Sequence, residues 1–255
     1  MKTATCISVL AALTGVSSLA HADAFFSETN FSPGSWTALP TFSQSTGPGA
    51  TLSAMSAPLA VPGGPMRQDF TLDLPVSSGF SVIYAPIALS GWTYDPSVDG
   101  AVGTISASVR TLPQIESSPG FGAIRFFLFQ NGRQYTLNSL SPNEPINFPT
   151  FEGHGIDSPE QVRTASALVP TDFIRILPGV GFDFDDHPDY AAGPMSFGFG
   201  YSMTSTGIVG VGTVTLPVAF DDVSVRITTI PAPGAAAVLG LGAVLASRRR
   251  RVVSC

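Results

Sequence analysis

Ala123-Ile124-Arg125-Phe126-Phe127-Leu128-Phe129-Gln130, then Asn131-Gly132, then Arg133-Gln134-Tyr135-Thr136-Leu137, is the strongest local signal in the chain. Two β-prone runs meet at a two-residue joint. Asn and Gly both tolerate positive φ, as a tight type I′ turn needs. The stretch therefore predicts a β-hairpin. Working outward, residues 66–74 (MRQDFTLDL) alternate apolar and polar side chains over most of their length, the pattern of a half-buried strand. Residues 80–89 form a second, more apolar run, and residues 195–203 and 218–228 supply late strands. Gly, Pro, Asn and Ser separate these runs as turns. One short helix is expected near Thr171-Asp172-Phe173-Ile174-Arg175-Ile176, with Thr171 or Asp172 as its cap.

Many short strands divided by turn signals predict an all-β chain folded as a single jelly-roll-like β-sandwich. Two smaller sandwiches are the alternative. The 26 Gly and 22 Pro oppose long helices, since Gly adds chain entropy and Pro removes a backbone donor. The 18 Phe provide ample apolar surface for a core. Lys2 and Arg248 to Arg251 lie at the two ends, so residues 23–230 keep seven arginines against 18 carboxylates, a formal charge of −11. Such a surface repels nucleic acid and attracts cations. Cys6 and Cys255 are also terminal. The central stretch has no thiol for a disulfide, a Cys-type zinc site or a Cys nucleophile.

The ends read as export and sorting segments. Residues 1–22 have a positive start at Lys2, a short apolar run and the small-x-small site Ala20-His21-Ala22, as a secretory signal peptide does. Signal peptidase cleavage would leave Asp23 first. At the other end Pro231-Ala232-Pro233-Gly234 precedes an uncharged run from Ala235 to Ala246, and Arg248, Arg249, Arg250 and Arg251 follow. A helix of about a dozen residues spans ~18 Å, short of the ~30 Å hydrocarbon core. The arginines would stay cytoplasmic. Residues 231–255 resemble the PEP-CTERM sorting tail of bacterial envelope proteins, in the variant common in planctomycete-type bacteria. Ala stands where that tail usually has a central Glu. The resemblance implies an exosortase-type membrane protease as partner. It also implies export to the cell envelope, cell surface or extracellular matrix, with transient membrane anchoring through the tail. A permanent short anchor is the other reading.

The central module, residues 23–230, resembles the jelly-roll modules of extracellular lectin-like and carbohydrate-binding proteins. The pieces are the early strand at Trp36, Gln130-Asn131-Gly132 with Tyr135, His187-Pro188-Asp189-Tyr190 before Gly198-Phe199-Gly200, and the closing Phe220-Asp221-Asp222-Val223-Ser224-Val225. In such modules a structural calcium often joins the first and last strands. Glu28, Asp221 and Asp222 are the matching positions, and calcium needs about six to eight oxygens. Sugar rings stack on exposed aromatic faces while polar groups hold their hydroxyls. Trp92, Tyr94 and Asp95 beside a turn, with Tyr190 and Tyr135, are the aromatic candidates. Filling the core is the commoner role of such rings. Asp183, Asp185, Asp186 and Asp189 repel one another unless a cation or an arginine sits among them. A solvated acidic loop is the usual outcome of such a run, and a metal site the alternative. His154 and His187 have no supporting zinc motif.

No Gly-x-Ser-x-Gly elbow or His-Glu-x-x-His occurs, and the Glu-x-Asp-x-Glu string of lectin-like glycosidases is absent. The sequence therefore points to a non-catalytic surface or matrix component. Expected roles are carbohydrate or calcium binding, with extracellular polysaccharide as a partner. A secreted glycan-active hydrolase is the second function class, with no catalytic residue to name.

Overall fold

The computed structural model describes residues 23–32, 34–46, 51–55, 59–60, 64–73, 80–111, 121–138, 161–204 and 212–230. The signal segment, the sorting tail and His154 lie outside the described residues. Residues Ala22–Ile230 form one compact unit.

In chain order the strands are β1 (Ala24–Glu28), β2 (Trp36–Ala38), β3 (Phe42–Thr46), β4 (Thr51–Met55), β5 (Leu59–Ala60), β6 (Met66–Asp73) and β7 (Phe80–Tyr94). A one-turn helix, α1 (Pro96–Asp99), leads to β8 (Val102–Thr111), β9 (Phe121–Gln130), β10 (Arg133–Leu137) and β11 (Gln161–Leu168). The last strands are β12 (Phe173–Leu177), β13 (Gly181–Asp183), β14 (Met195–Thr204) and β15 (Thr213–Thr229). They form two antiparallel sheets. The first follows the order β11-β8-β15-β6-β4, with β1 also on β15 and β5 on β6. The second follows β13-β12-β10-β9-β14-β7-β2, with β3 on β7. The chain passes between sheets at β1–β2, β3–β4, β6–β7, β7–β8, β8–β9, β10–β11, β11–β12 and β14–β15. These crossings knit both sheets into a single jelly-roll-like sandwich.

The hairpin forms as its sequence dictates. Asn131 and Gly132 both take positive φ (52° and 72°), and Arg133 pairs directly with Gln130. Alternation then sorts the side chains. Ile105, Ala107 and Val109 of β8 and Val223, Val225 and Ile227 of β15 meet Ile124, Phe126 and Leu128 of β9 and Phe197 and Phe199 of β14 in one core. Phe126 stacks on Phe197 with ring centroids 6.1 Å apart. Strand β9 is apolar on both faces. Phe127 joins Tyr84 and Ile176 in a second buried cluster, with Phe129 and Phe182 packed against it. That cluster occupies the opposite face of the second sheet, because successive strand residues point to opposite faces.

The helix expected at 171–176 is corrected. Pro170–Asp172 makes a single 3-10 turn, closed by Val169 N–H donating to Asp172 Oδ2 at 2.8 Å, and Phe173–Leu177 continues as a strand. Phe173 joins the main core and Ile176 the second cluster, so the segment feeds both faces of a sheet. A helix would present these two side chains on one face. The helical turn occurs instead at Pro96–Asp99. Asp95 caps it by accepting from Ser97 N–H at 3.0 Å, and Pro96 sits at its start.

Candidate functional site

The aromatic candidates for sugar stacking take the commoner role of such rings, as core residues. Trp92, Tyr94 and Tyr190 are 7%, 2% and 7% exposed. Trp92 stacks on Phe26 at 5.7 Å and meets Phe199 edge-on at 6.5 Å. The Tyr94 hydroxyl donates to the Gly100 carbonyl at 2.6 Å, and the Tyr190 hydroxyl to the Leu168 carbonyl at 3.3 Å. Burial pushes both phenols up, with Asp99 and Asp23 adding to the shift at Tyr94 and Asp172 at Tyr190. A ring with both faces packed cannot receive a ligand. The reason is a wide bulge: β14 advances from Ser196 to Gly198 while β7 goes from Thr93 back to Ala88. Gly91 at φ 76° lets the strand kink and drop Trp92 inward. Asp95 is the helix cap, so its carboxylate is committed to Ser97.

Two of the three candidate calcium positions, Asp221 and Asp222, face an arginine. Register places Glu28 opposite Val223, next to Asp222, so the first and last strands do meet there. The positive partner is a guanidinium. Arg110 Nη2 lies 2.8 Å from Asp221 Oδ2, and its Nε lies 2.7 Å from Asp222 Oδ2. Glu28 accepts from Asn30 N–H at 2.8 Å. Among the described residues no group of three Asp, Glu, His or Cys side chains is placed to hold a metal ion.

The acidic run has its cations within it. Asp186 Oδ2 lies 3.0 Å from Arg133 and 2.9 Å from Arg175, and Oδ1 accepts from the Tyr135 hydroxyl at 3.1 Å. Burial raises the Asp186 carboxyl, but Arg175, Tyr135 and Arg133 outweigh it and hold the group below its ordinary value. Asp183 and Asp189 cap their own loop, accepting from Asp185 N–H and Ala191 N–H. His187 Nδ1 bonds the Phe173 carbonyl at 2.7 Å. The loop is therefore locked, and Gln130 fastens its far end. That buried amide donates to the carbonyls of Asp189, Ala192 and Gly193 at 2.8, 2.9 and 3.2 Å, and accepts from Asp189 N–H at 2.7 Å.

Gln130 also lines an open groove of about 240 Å³, together with Thr93, Phe129, Asn131, Gly132, Pro194, Met195 and Ser196. Strand register explains its floor. Thr93 lies opposite Ser196, Ser196 opposite Phe129, and Phe129 opposite Gln134, a transverse row over β7, β14, β9 and β10. The Asn131-Gly132 turn and Pro194 close one end. No lining residue is charged. Phe129 is half-buried, packs against the second cluster and lines the groove. Beside it, Gln134 Oε1 is buried without a hydrogen-bond partner.

Sequence reasoning missed Phe129, Thr93 and Ser196. The available signal was Phe126-Phe127-Leu128-Phe129, which is too apolar for a strand with one solvated face.

No protein-family model matches the chain, and no curated protein matches it. Among solved structures the chain is similar to a carbohydrate-binding module, TmCBM27, described for its specific mannan recognition. The identity is 15%, the TM-score 0.30, and the match covers 82% of this chain and 99% of that one. With so low a superposition, the architecture stands on the strand pairing above and not on this likeness.

Proposed function

We propose that residues 23–230 are a non-catalytic carbohydrate-binding module of the cell surface or matrix, delivered by the signal segment at 1–22 and sorted through the tail at 231–255. The observation that carries the binding role is the groove row: one half-buried aromatic ring in the lining, Phe129, flanked by Thr93 and Ser196 with Asn131 at the turn. A pyranose ring needs that combination, an apolar face to stack on and short polar groups for its hydroxyls. The uncharged lining favours an uncharged ring.

Isothermal titration against a panel of oligosaccharides tests this. Phe129→Ala is expected to weaken binding about tenfold by removing the stacking surface. Thr93→Val, which keeps the shape and removes the hydroxyl, should weaken it about fivefold. Unchanged affinity in both variants would remove the groove from consideration. Product release from any panel member would replace the binding role with the hydrolase alternative.

The sorting role rests on the Pro-x-Pro-Gly, apolar run and four-arginine order. In the native surface-displayed protein, mass spectrometry should find Asp23 as the first residue and no peptide containing Arg248 to Arg251. An intact arginine cluster on that form would leave a plain anchor.

A further inference from the structure

We infer that Asn30 is an acceptor for N-linked glycosylation, so that the exported module carries a glycan of its own. The inference rests on the export reading above and is independent of the groove.

Asn30-Phe31-Ser32 is an Asn-x-Ser triplet with no proline at its middle position. The chain has five asparagines, at 30, 131, 138, 143 and 147, and only Asn30 has Ser or Thr two residues on. So short a triplet also arises by chance, and its setting decides what it can do. It follows β1 directly, where the chain leaves the sheet. Asn30 and Ser32 are exposed, while Phe31 between them is fully buried. The Phe31 ring meets Phe220 edge-on in the main core, with centroids 5.6 Å apart. That one side chain pins the loop and leaves its two neighbours in solvent.

The other bonds of the loop fall on its backbone. Glu28 Oε1 accepts from Asn30 N–H at 2.8 Å, and the Ser32 hydroxyl donates to the Asn30 carbonyl at 3.3 Å. Ser35 N–H donates to the Ser32 carbonyl at 3.0 Å. The Asn30 carboxamide is spared. Among the described residues its one hydrogen bond runs from Nδ2 to the Thr29 hydroxyl at 3.3 Å, and Thr29 is exposed as well. Water readily replaces an exposed neutral bond of that length. The acceptor nitrogen is therefore reachable in the folded chain, on a backbone that is already held.

An amide nitrogen is a poor nucleophile, because its lone pair is delocalised into the carbonyl. The transfer needs a sugar with a good leaving group, and the donor class is an oligosaccharide joined to a lipid through a diphosphate. Asn30 Nδ2 forms a bond to the anomeric carbon. The bond from that carbon to the diphosphate oxygen breaks, and the lipid diphosphate leaves with the electron pair. One Nδ2 proton passes to a base of the transferase. Ser32 supplies the hydroxyl that the acceptor sequence requires. The product places a bulky, solubilising group beside β1, which among the described residues pairs only with β15. A glycan there would shield the other edge of β1 from pairing with another chain.

The test is glycopeptide mass spectrometry on the mature protein from its native host. No Lys or Arg lies between Asp23 and Arg67, so trypsin releases the triplet within one peptide that ends at Arg67. That peptide should carry an oligosaccharide mass, and electron-transfer fragmentation should place it on Asn30. Asn30→Gln and Ser32→Ala should each abolish the added mass, and Ser32→Thr should keep it. Asn30→Gln retains the backbone N–H that Glu28 accepts, so its melting midpoint should match that of unglycosylated wild type. A bare Asn30 in the mature protein overturns the inference. So does an added mass that survives Asn30→Gln or Ser32→Ala, because the sugar then sits elsewhere or ignores the triplet. Any of these results leaves the groove reading intact.

Discussion

Gly198→Ala is expected to destabilise the module by about 3 kcal/mol or more, lowering the melting midpoint by about 6–12 °C. Gly200→Ala should do the same. At both positions φ is ordinary, so the penalty is steric. A Cβ on Gly198 would stand 2.2 Å from the Ile87 carbonyl oxygen and 3.0 Å from the Phe129 ring, and one on Gly200 2.2 Å from the Ala85 carbonyl oxygen. Neither oxygen can retreat, because each belongs to β7, which carries β14 on one side and β2 and β3 on the other. Gly179→Ala is the control. It has φ 74° and nothing within 4 Å of the added carbon, so only the left-handed backbone cost of about 1 kcal/mol applies. Equal midpoint shifts for Gly179→Ala and Gly198→Ala would show that backbone conformation, not the approach of β7, is what these glycines provide. The Gly198 variant carries a second readout. Phe129 leans over the bare glycine, so an alanine there should also displace the ring from the groove and weaken glycan binding at temperatures where the variant is folded.

The same two strands mark where the sequence was legible. The hairpin at 121–137 was readable because Asn131-Gly132 solves a local problem and needs nothing from elsewhere in the chain. The late strands and β6 were readable because alternation is also local. The β7 bulge was not. Leu89-Ser90-Gly91-Trp92 reads as a strand ending in a turn, and only pairing with β14 and the seat beside Phe26 and Phe199 carries the chain on to Tyr94. Trp92, Tyr94 and Tyr190 were sugar-stacking candidates because turn residues lie near them, with core packing as their commoner role, and their burial is decided by the opposite sheet. The helix at 171–176 failed for a like reason. Its cap signal was real and was used for one 3-10 turn, but β10 and β13 on either side recruit Phe173–Leu177 as a strand. Long-range register likewise assembles the groove, from Thr93, Ser196 and Phe129, which are far apart in sequence. The calcium positions were adjacent as expected. What the sequence could not reveal is that Arg110, from β8, arrives between Asp221 and Asp222.

Asp186→Asn is expected to cost about 2 kcal/mol at neutral pH, a midpoint loss of about 4–8 °C. The substitution keeps the shape and removes the charge that holds Arg133, Arg175 and the Tyr135 hydroxyl together. The figure lies below that of a fully buried pair, because Arg133 and Arg175 remain 48% and 31% exposed and water can take them back. Acidity separates a charge effect from a packing effect. The folded carboxyl sits below its unfolded value of about 3.9, so its contribution is complete above that value and is lost as pH falls through the folded pKa. Wild type should therefore lose its advantage over Asp186→Asn progressively below about pH 4. Asp221 cannot imitate this. Burial raises its carboxyl, outweighing the help of Asp222 N–H and Arg110, so its contribution is present at low pH and declines as pH rises through its folded pKa. Melting wild type and variant in parallel from pH 7 downward would read the difference directly. A gap that stays constant to the acid limit would make the Asp186 effect one of packing. Because Arg133 follows Gly132 at the groove end, the charge lock also has a binding consequence. The variant should bind the same oligosaccharides more weakly at pH 7, and wild type should approach it as Asp186 takes up its proton.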